Sequence, residues 1–395
     1  MKIYADNAAT TQLSDHALEA MLPYLKGMYG NPSSLYELGQ QAKEALDEAR
    51  ARVARCLNAE PNEITFTSGG SEADNQALET AAALGEKKGK KHIVSTAFEH
   101  HAVLYPLEHL KQRGFEVTLL DVHENGLVTP EEVAAAIRPD TALVSIMFAN
   151  NEIGTIQPIK AIGAVCREKG VLFHTDAVQA AGHEPIDVKD MNIDMLSLSA
   201  HKFHGPKGNG ALFARKGLRL SPVIRGGAQE KNKRAGTENV AGIVGMAAAL
   251  EDACAHLDEN KRKVSAMRDY LIDELSKIPH SILNGARAPR LSGNVNFCFE
   301  GIEGEGLLLL LDDKGVCASS GSACTSGSLD PSHVLLAIGR PHEIAHGSLR
   351  LSLGDTNTMD EMKHIVTAVK EVVAYLRGIS PVWRDLESGK LKHII

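Results

Sequence analysis

The sequence predicts an α/β fold: a large domain on a mainly parallel sheet, with a smaller α+β domain attached. Two patterns carry that prediction. Short apolar runs alternate with amphipathic stretches of helical spacing over the first part of the chain, and from about Asn239 the alternation gives way to a long helical stretch and a few late strands. The 395 residues leave room for two domains and a sizeable core. Hydrophobic residues make up 43% and charged residues 23%, as in an ordinary globular chain. The net charge of −8 argues against a nucleic-acid-binding protein.

Ser14 is placed to cap a first helix with Ala17, Leu18, Met21, Leu22 and Leu25 on its apolar face. A second is expected from about Ser34 to Leu57, buried along Ala42, Ala45, Leu46, Ala49, Val53 and Leu57. Strands are expected at EITFTS, HIVSTA, EVTLLDV, ALVSIMFA, GVLFHTDA, DMLSLSA and GALFA, with helices starting near Ser71, Ala102, Pro130, Ile159 and Asp187. From Asn239 a long helical stretch runs through the charged segment 258–263 to Pro279 and suits a connector between domains. Later strands are expected near 293–299 and 348–353. A closing helix follows the capping box of Thr358 and Glu361. The expected division is 15–260 for the large domain, with 1–14 and 261–395 forming the small one.

The start, MKIYADNAATTQLSD, has no apolar core of signal-peptide length, and the most apolar run, Leu307–Leu311, is far below the roughly 20 residues that span a bilayer. The expectation is a cytoplasmic chain without a membrane segment, its thiols reduced. Six cysteines without a CxxC pair support neither a disulfide framework nor a thiolate zinc site. Cys56, Cys166, Cys254, Cys298 and Cys317 sit in helical, strand-like or apolar runs and read as small hydrophobes.

Chemistry is expected where strands end, because the C-terminal strand ends of an open α/β sheet line its ligand crevice. TFTSGGSE is a strand, a glycine turn and a helix start. There Gly70, Ser71 and free amides suit an anion, unless Ser71 merely forms a capping box with Asp74. His100 and His101 follow another strand; one ring can face a ligand, or both can be structural. Asn150–Asn151–Glu152 and Asp176–Gln179 follow two more, and a carboxylate at Asp176 needs a cationic partner or a helix-capping role. SLSAHKFHGPKG delivers Ser199, His201 and Lys202 into a glycine-rich turn. An enclosed lysine there can supply a free amine for a Schiff base, against the alternative of a solvated side chain. In ASSGSACTSGS small residues surround Cys324, which predicts a mobile, exposed loop (about 318–333) and a reactive thiol. Arg350, in a strand-like stretch with no acidic neighbour in sequence, suits a substrate carboxylate or an ordinary ion pair.

In order, YADNAATT, GNPSS, TSGGSEADN, EHHAVL, NNEIG, TDAVQAAG, SLSAHKFHGPKG, RAGTEN, SSGSACTSG and SLRLSLG resemble the cysteine desulfurases of the NifS/IscS type over almost the whole chain. The resemblance implies fold type I of the pyridoxal 5'-phosphate enzymes and a homodimer with sites near the subunit interface. It implies that Lys202 carries the cofactor as a Schiff base, Asp176 faces the pyridine nitrogen, Gln179 meets the phenolic oxygen, His100 stacks on the ring and Asn151 lies at the hydroxyl edge. Gly70, Ser71, Ser199 and His201 would hold the phosphate, with Thr237 from the other subunit, and Arg350 would bind the carboxylate of L-cysteine. Lys202, His100 and the Cys324 thiolate would act in turning cysteine into alanine and an enzyme persulfide.

The long form of the cysteine loop resembles the subgroup that delivers sulfur to iron–sulfur scaffold proteins; no metal of its own is implied, though Cys324 could be shared with a scaffold-bound cluster. Alternatives are a selenocysteine lyase or aminotransferase on the same fold, or a non-catalytic sulfur carrier. Tyr36 departs from the histidine many relatives have after GNPSSx. The basic residues of loop 225–238 (Arg225, Lys231, Lys233 and Arg234) suit the phosphate, a partner or plain solvent.

Overall fold

The computed structural model describes residues 2–320 and 331–395. The chain opens with β1 (Ile3–Tyr4), α1 (Asp15–Lys26) and α2 (Glu37–Cys56). It then alternates through β2 (Ile64–Thr67), α3 (Gly70–Glu86), β3 (His92–Thr96), α4 (His101–Gln112), β4 (Glu116–Leu120), α5 (Pro130–Ala136), β5 (Thr141–Ser145), α6 (Ile159–Lys169), β6 (Leu172–Asp176), β7 (Met195–Ser199) and β8 (Gly210–Ala214). After α7 (Gln229–Asn232) come α8 (Val240–Ala255) and α9 (Leu257–Leu275). The last part holds β9 (Ser281–Leu283), β10 (Asn294–Phe299), α10 (Gly304–Asp313), β11 (Val316–Cys317), α11 (His333–Ala337), α12 (His342–Ala345), β12 (Ser348–Ser352), α13 (Met359–Ile379) and α14 (Pro381–Glu387).

The large sheet has the order β2-β8-β7-β6-β5-β3-β4. Strands β7 through β4 run parallel, and β8 is antiparallel to both of its neighbours. Helices cover both faces of such a sheet, so its inner strands are buried throughout and read as unbroken apolar or small-residue runs; only the edge strand β4 is largely open. A smaller antiparallel sheet has the order β12-β10-β9, and β1 pairs with β11 in parallel. Ile3 and Ala5 pack in a core of their own with Val295, Phe297, Leu351 and the inner faces of α9 and α13.

The expected caps form. The Ser14 hydroxyl accepts from the Ala17 amide at 3.1 Å, and Thr358 and Glu361 cap each other's backbone amides. Three local expectations change. The second helix starts at Glu37 because Asn31 folds the preceding residues into a turn, its side chain accepting from the Ser33 amide at 2.9 Å. No helix forms at Asp187; its carboxylate accepts from the Lys189 and Asp190 amides at 3.0 and 2.9 Å, which fixes a turn. The long connector is two helices meeting at 72°. α8 is buried nearly all round in the large core from Val240 to Leu250, whereas α9 buries one stripe in the small one, so a straight rod cannot serve both. Among the described residues no single helix is long and apolar enough to cross a membrane.

Candidate active site

The C-terminal ends of β2, β3, β6 and β7 deliver Gly70 and Ser71, His100, Asp176, and Ser199 with Lys202, in that order. At the first turn a Cβ on Gly70 would lie 2.5 Å from Val178 Cγ2 and 3.7 Å from Ser199 Cβ, so only glycine lets the backbone come this close. The cap of α3 is Gly69 and no Ser71–Asp74 box forms; instead the Ser68 amide donates to Glu72 at 2.9 Å. This leaves Ser71 in the first turn, where helix amides and dipole favour an anion.

Lys202 follows β7 on a short 3₁₀ turn. Its Nζ donates to the backbone carbonyls of Ala8 at 2.6 Å and Ala9 at 2.8 Å. Asp176 is buried, which pushes its carboxyl up to about 6; the Val178 amide, donating at 2.9 Å, and the charge of Lys202 pull the other way. Burial, then the charges of Lys202 and His101, hold the His100 imidazole down at about 4. Its Nδ1 accepts from the Ala102 amide at 3.1 Å, so the ring is neutral with its proton on Nε2. His201 is likewise held down at about 4, by burial and then by Lys202 and Lys207, and its Nδ1 lies 3.1 Å from Thr10 Oγ1. Gln179 donates to the Ala8 carbonyl at 3.0 Å. Asn151 follows β5, and Thr237 stands exposed ahead of α8.

Arg350, on β12, is 2% exposed. It has the acidic neighbour its local sequence lacks: Nη2 donates to Asp6 at 2.9 Å, and Nη1 to the Asn151 carbonyl at 3.2 Å. Nε is buried without a hydrogen-bond partner among the described residues. The pairing with Asp6 is the ion pair, one of the two expectations for Arg350, and among the described residues it leaves N–H donors of the fork unused.

Cys324 lies outside the described residues, but the chain on either side does not. Ser319 exchanges backbone hydrogen bonds with Arg350 at 3.1 and 2.6 Å. Ser332 donates to buried Glu152 while its oxygen caps α11, and His333 Nε2 lies 2.9 Å from the Glu99 carbonyl. The described chain on both sides of the Cys324 segment is thus fastened at this site. In loop 225–238, Arg234 pairs with Glu72 at 2.9 Å and Lys233 donates to the Asn62 carbonyl at 3.1 Å, so part of that basic loop is structural. Tyr36 is exposed.

Sequence reasoning assigned no role to Asp6, the Ala8 and Ala9 carbonyls, Glu99 or His174, and weighed Asp74 only as a capping partner of Ser71. The first belongs to YADNAATT, which could have drawn attention; backbone carbonyls leave no side-chain signature.

An acid, an amine, an imidazole and a glycine cradle at a helix start fit pyridoxal phosphate. Asp176 suits its ring nitrogen, Lys202 its aldehyde, His100 its ring face, and Gly70, Ser71, Ser199 and His201 its phosphate. Fold and site together define a pyridoxal-phosphate enzyme of fold type I. The aminotransferase class-V model matches residues 3–365. The chain is 56% identical to cysteine desulfurase IscS of Methanosarcina thermophila over 96% of its own length and 94% of that protein's. Among solved structures, a NifS-like protein superposes with a TM-score of 0.89 at 38% identity, covering 95% of this chain and all of the other. SspA in complex with cysteine gives 0.78 at 37% identity over 91% and 100%. The chain belongs to the class-V aminotransferase family.

Proposed function

We propose that the chain is a pyridoxal-phosphate-dependent cysteine desulfurase that converts L-cysteine to L-alanine and passes the sulfur, as a persulfide on Cys324, to iron–sulfur cluster assembly. One observation carries the reading. Lys202, Asp176 and His100 meet at the strand ends, and the chain on both sides of the Cys324 segment is fastened beside them, at Arg350 and at Glu152.

When bound, the cofactor supplies an electron sink for negative charge at the substrate α-carbon. Unused N–H groups of Arg350 take the substrate carboxylate, which orients the thiol toward Cys324. Lys202 moves the proton at the α-carbon, and the Ala8 and Ala9 carbonyls hold its amine when it is released. His100 exchanges protons through Nε2, since Nδ1 is engaged by the Ala102 amide. The Cys324 thiolate attacks the substrate sulfur: an S–S bond forms, the Cβ–S bond breaks, and the carbon side takes up protons to leave as alanine.

Gln179 and Asn151 line the cofactor in the same proposal, with Thr237 supplied by a second copy. Exposed Leu18, Leu22, Leu25 and Leu35 support a homodimer, because such residues favour a covered face. An iron–sulfur scaffold as acceptor, a cytoplasmic location and the division at residue 260 complete the reading; the separate cores support the last. The test is to supply L-cysteine, measure alanine and sulfide, and map the persulfide by mass spectrometry. Equal alanine and sulfane sulfur, with the added sulfur on Cys324 and abolished in Cys324→Ala, is expected. Pyruvate or unchanged turnover in Cys324→Ala would refute it.

A further inference from the structure

Beneath Asp176 lies a polar core that this reaction does not use. His174, two residues earlier on β6, and Asp74, one turn into α3, are 0% and 1% exposed. The imidazole bridges the flanking strands: Nδ1 is 2.8 Å from Ser145 Oγ on β5, and Nε2 is 3.0 Å from Ser197 Oγ on β7 and 3.5 Å from Asp74 Oδ1. Asp74 also shares a hydrogen bond with Ser197, but its Oδ1 has no hydrogen-bond partner among the described residues. Among the described residues no lysine or arginine side chain bonds to it. Asp176 and Glu99 are near enough for their charges to repel one on Asp74, and Glu99 Oε2 is itself buried and unpartnered.

Three buried carboxyls cannot all ionise in this space, because each unpaired charge costs several kcal/mol (order of magnitude) in solvation. Asp176 and Glu99 each accept from a backbone amide, but it is Asp176 whose carboxylate also has the Lys202 charge in range. Glu99 accepts from the Thr96 hydroxyl and the Met147 amide but makes no salt bridge among the described residues, and burial pushes it up to about 8. Asp74 has only a hydroxyl, and burial drives its carboxyl well above the usual range.

The hydrogen bonds then have a definite direction. A neutral Asp74 donates to Ser197, the Ser197 hydroxyl donates to His174 Nε2, and His174 Nδ1–H donates to Ser145. An ionised Asp74 reverses all three and puts the imidazole proton on Nε2. Burial holds His174 down at about 3, so the ring is neutral in either case and its tautomer reports the charge on Asp74.

We propose that Asp74 is a positioning residue for the reaction: held against Ser197 and His174 it keeps its proton, and by adding no second charge it leaves Asp176 as the carboxyl that carries negative charge toward the cofactor's pyridine nitrogen. The last clause rests on the cofactor reading above; the location of the proton does not.

The test begins with the apoenzyme at neutral pH. Nitrogen NMR of the wild-type chain should place the His174 proton on Nδ1, a result that needs no variant. The infrared difference between wild type and the isosteric Asp74→Asn should show loss of a protonated-carboxyl carbonyl band and no loss of a carboxylate band. Asp74→Asn should then bind pyridoxal phosphate within about threefold of wild type, whereas Asp176→Asn should weaken it by about tenfold or more. An Nε2 proton in the wild type, loss of a carboxylate band, or a tenfold weaker cofactor in Asp74→Asn would each overturn the proposal. If neither wild type nor Asp74→Asn bound the cofactor, the role given to the Asp176 charge would fall with the cofactor reading, while spectroscopy would still decide where the proton lies.

Discussion

Arg350→Lys separates a substrate-binding arginine from a structural ion pair. The guanidinium spends one N–H on Asp6 at 2.9 Å and one on the Asn151 carbonyl at 3.2 Å, and Nε has no hydrogen-bond partner among the described residues. Lysine keeps a positive charge that can remain on Asp6, but it loses the planar fork that would accept a second carboxylate at the same time. A charge-assisted hydrogen bond is worth about 1.5–3 kcal/mol, and 1.36 kcal/mol is a factor of ten, so losing the bond to substrate lowers kcat/KM by about 10- to 150-fold. The assay is alanine formation from L-cysteine and from its methyl ester. Wild type should prefer the acid, and the preference should collapse in the variant, with KM rising more than kcat falls. Urea unfolding is the control: because the pair with Asp6 survives, the stability loss should stay below about 2 kcal/mol. A kcat/KM within about threefold of wild type, with the ester discrimination intact and only stability reduced, would show that Arg350 is no more than a structural partner of Asp6.

Borohydride reduction of the loaded enzyme should leave the cofactor mass on the peptide containing Lys202, and Lys202→Ala should lose both that adduct and alanine production by at least about a thousandfold. Glu99→Gln should flatten the pH dependence of stability. Glu99 binds its proton up to about 8 in the folded chain but only to the ordinary carboxyl value, 4.5, when unfolded. Its contribution is therefore complete below the lower value and is lost as pH rises through the upper one. The variant should remove up to about 1.4 kcal/mol of slope per pH unit between these limits, measured by urea midpoints. Ser332→Ala removes the cap of α11 and a donor to buried Glu152, and should cost about 1–2 kcal/mol in the same measurement; no change would mean that neither bond matters.

The strands of the large sheet were legible because most are buried on both sides, which forces uncharged runs of apolar residues with serine or threonine, as at Ile64–Thr67 and Met195–Ser199. The break after Ala255 was not. Charge appears there without a proline or glycine, and the bend comes from α8 and α9 packing into different cores. In the site, residues delivered by a strand end were legible one by one, since Asp176 closes one strand and Lys202 follows another by three residues. Their partners were hidden by distance along the chain. Arg350 and Asp6 are 344 residues apart, and nothing near either one signals the other.

The concealed element is the N-terminal segment between Asp6 and Thr11, and its contacts explain why the site needs it. Asp6 fixes one edge of the Arg350 guanidinium; the Ala8 and Ala9 carbonyls hold Lys202 Nζ; Ala8 also accepts from Gln179. Thr10 meets His201, and Thr11 bonds the His201 carbonyl and the His204 amide. The Ala8 amide donates in turn to Ser352 on the strand that carries Arg350. One short stretch thus sets Arg350, on the small sheet, against the Lys202 amine that follows a large-sheet strand. Catalysis on an amino acid needs that spacing held to a fraction of an ångström while its α-carbon is deprotonated. Two of the groups doing so are backbone carbonyls, which side-chain substitution cannot remove. The segment's amino-acid types therefore understate its part in the reaction, and displacing its path should impair Lys202 and Arg350 together.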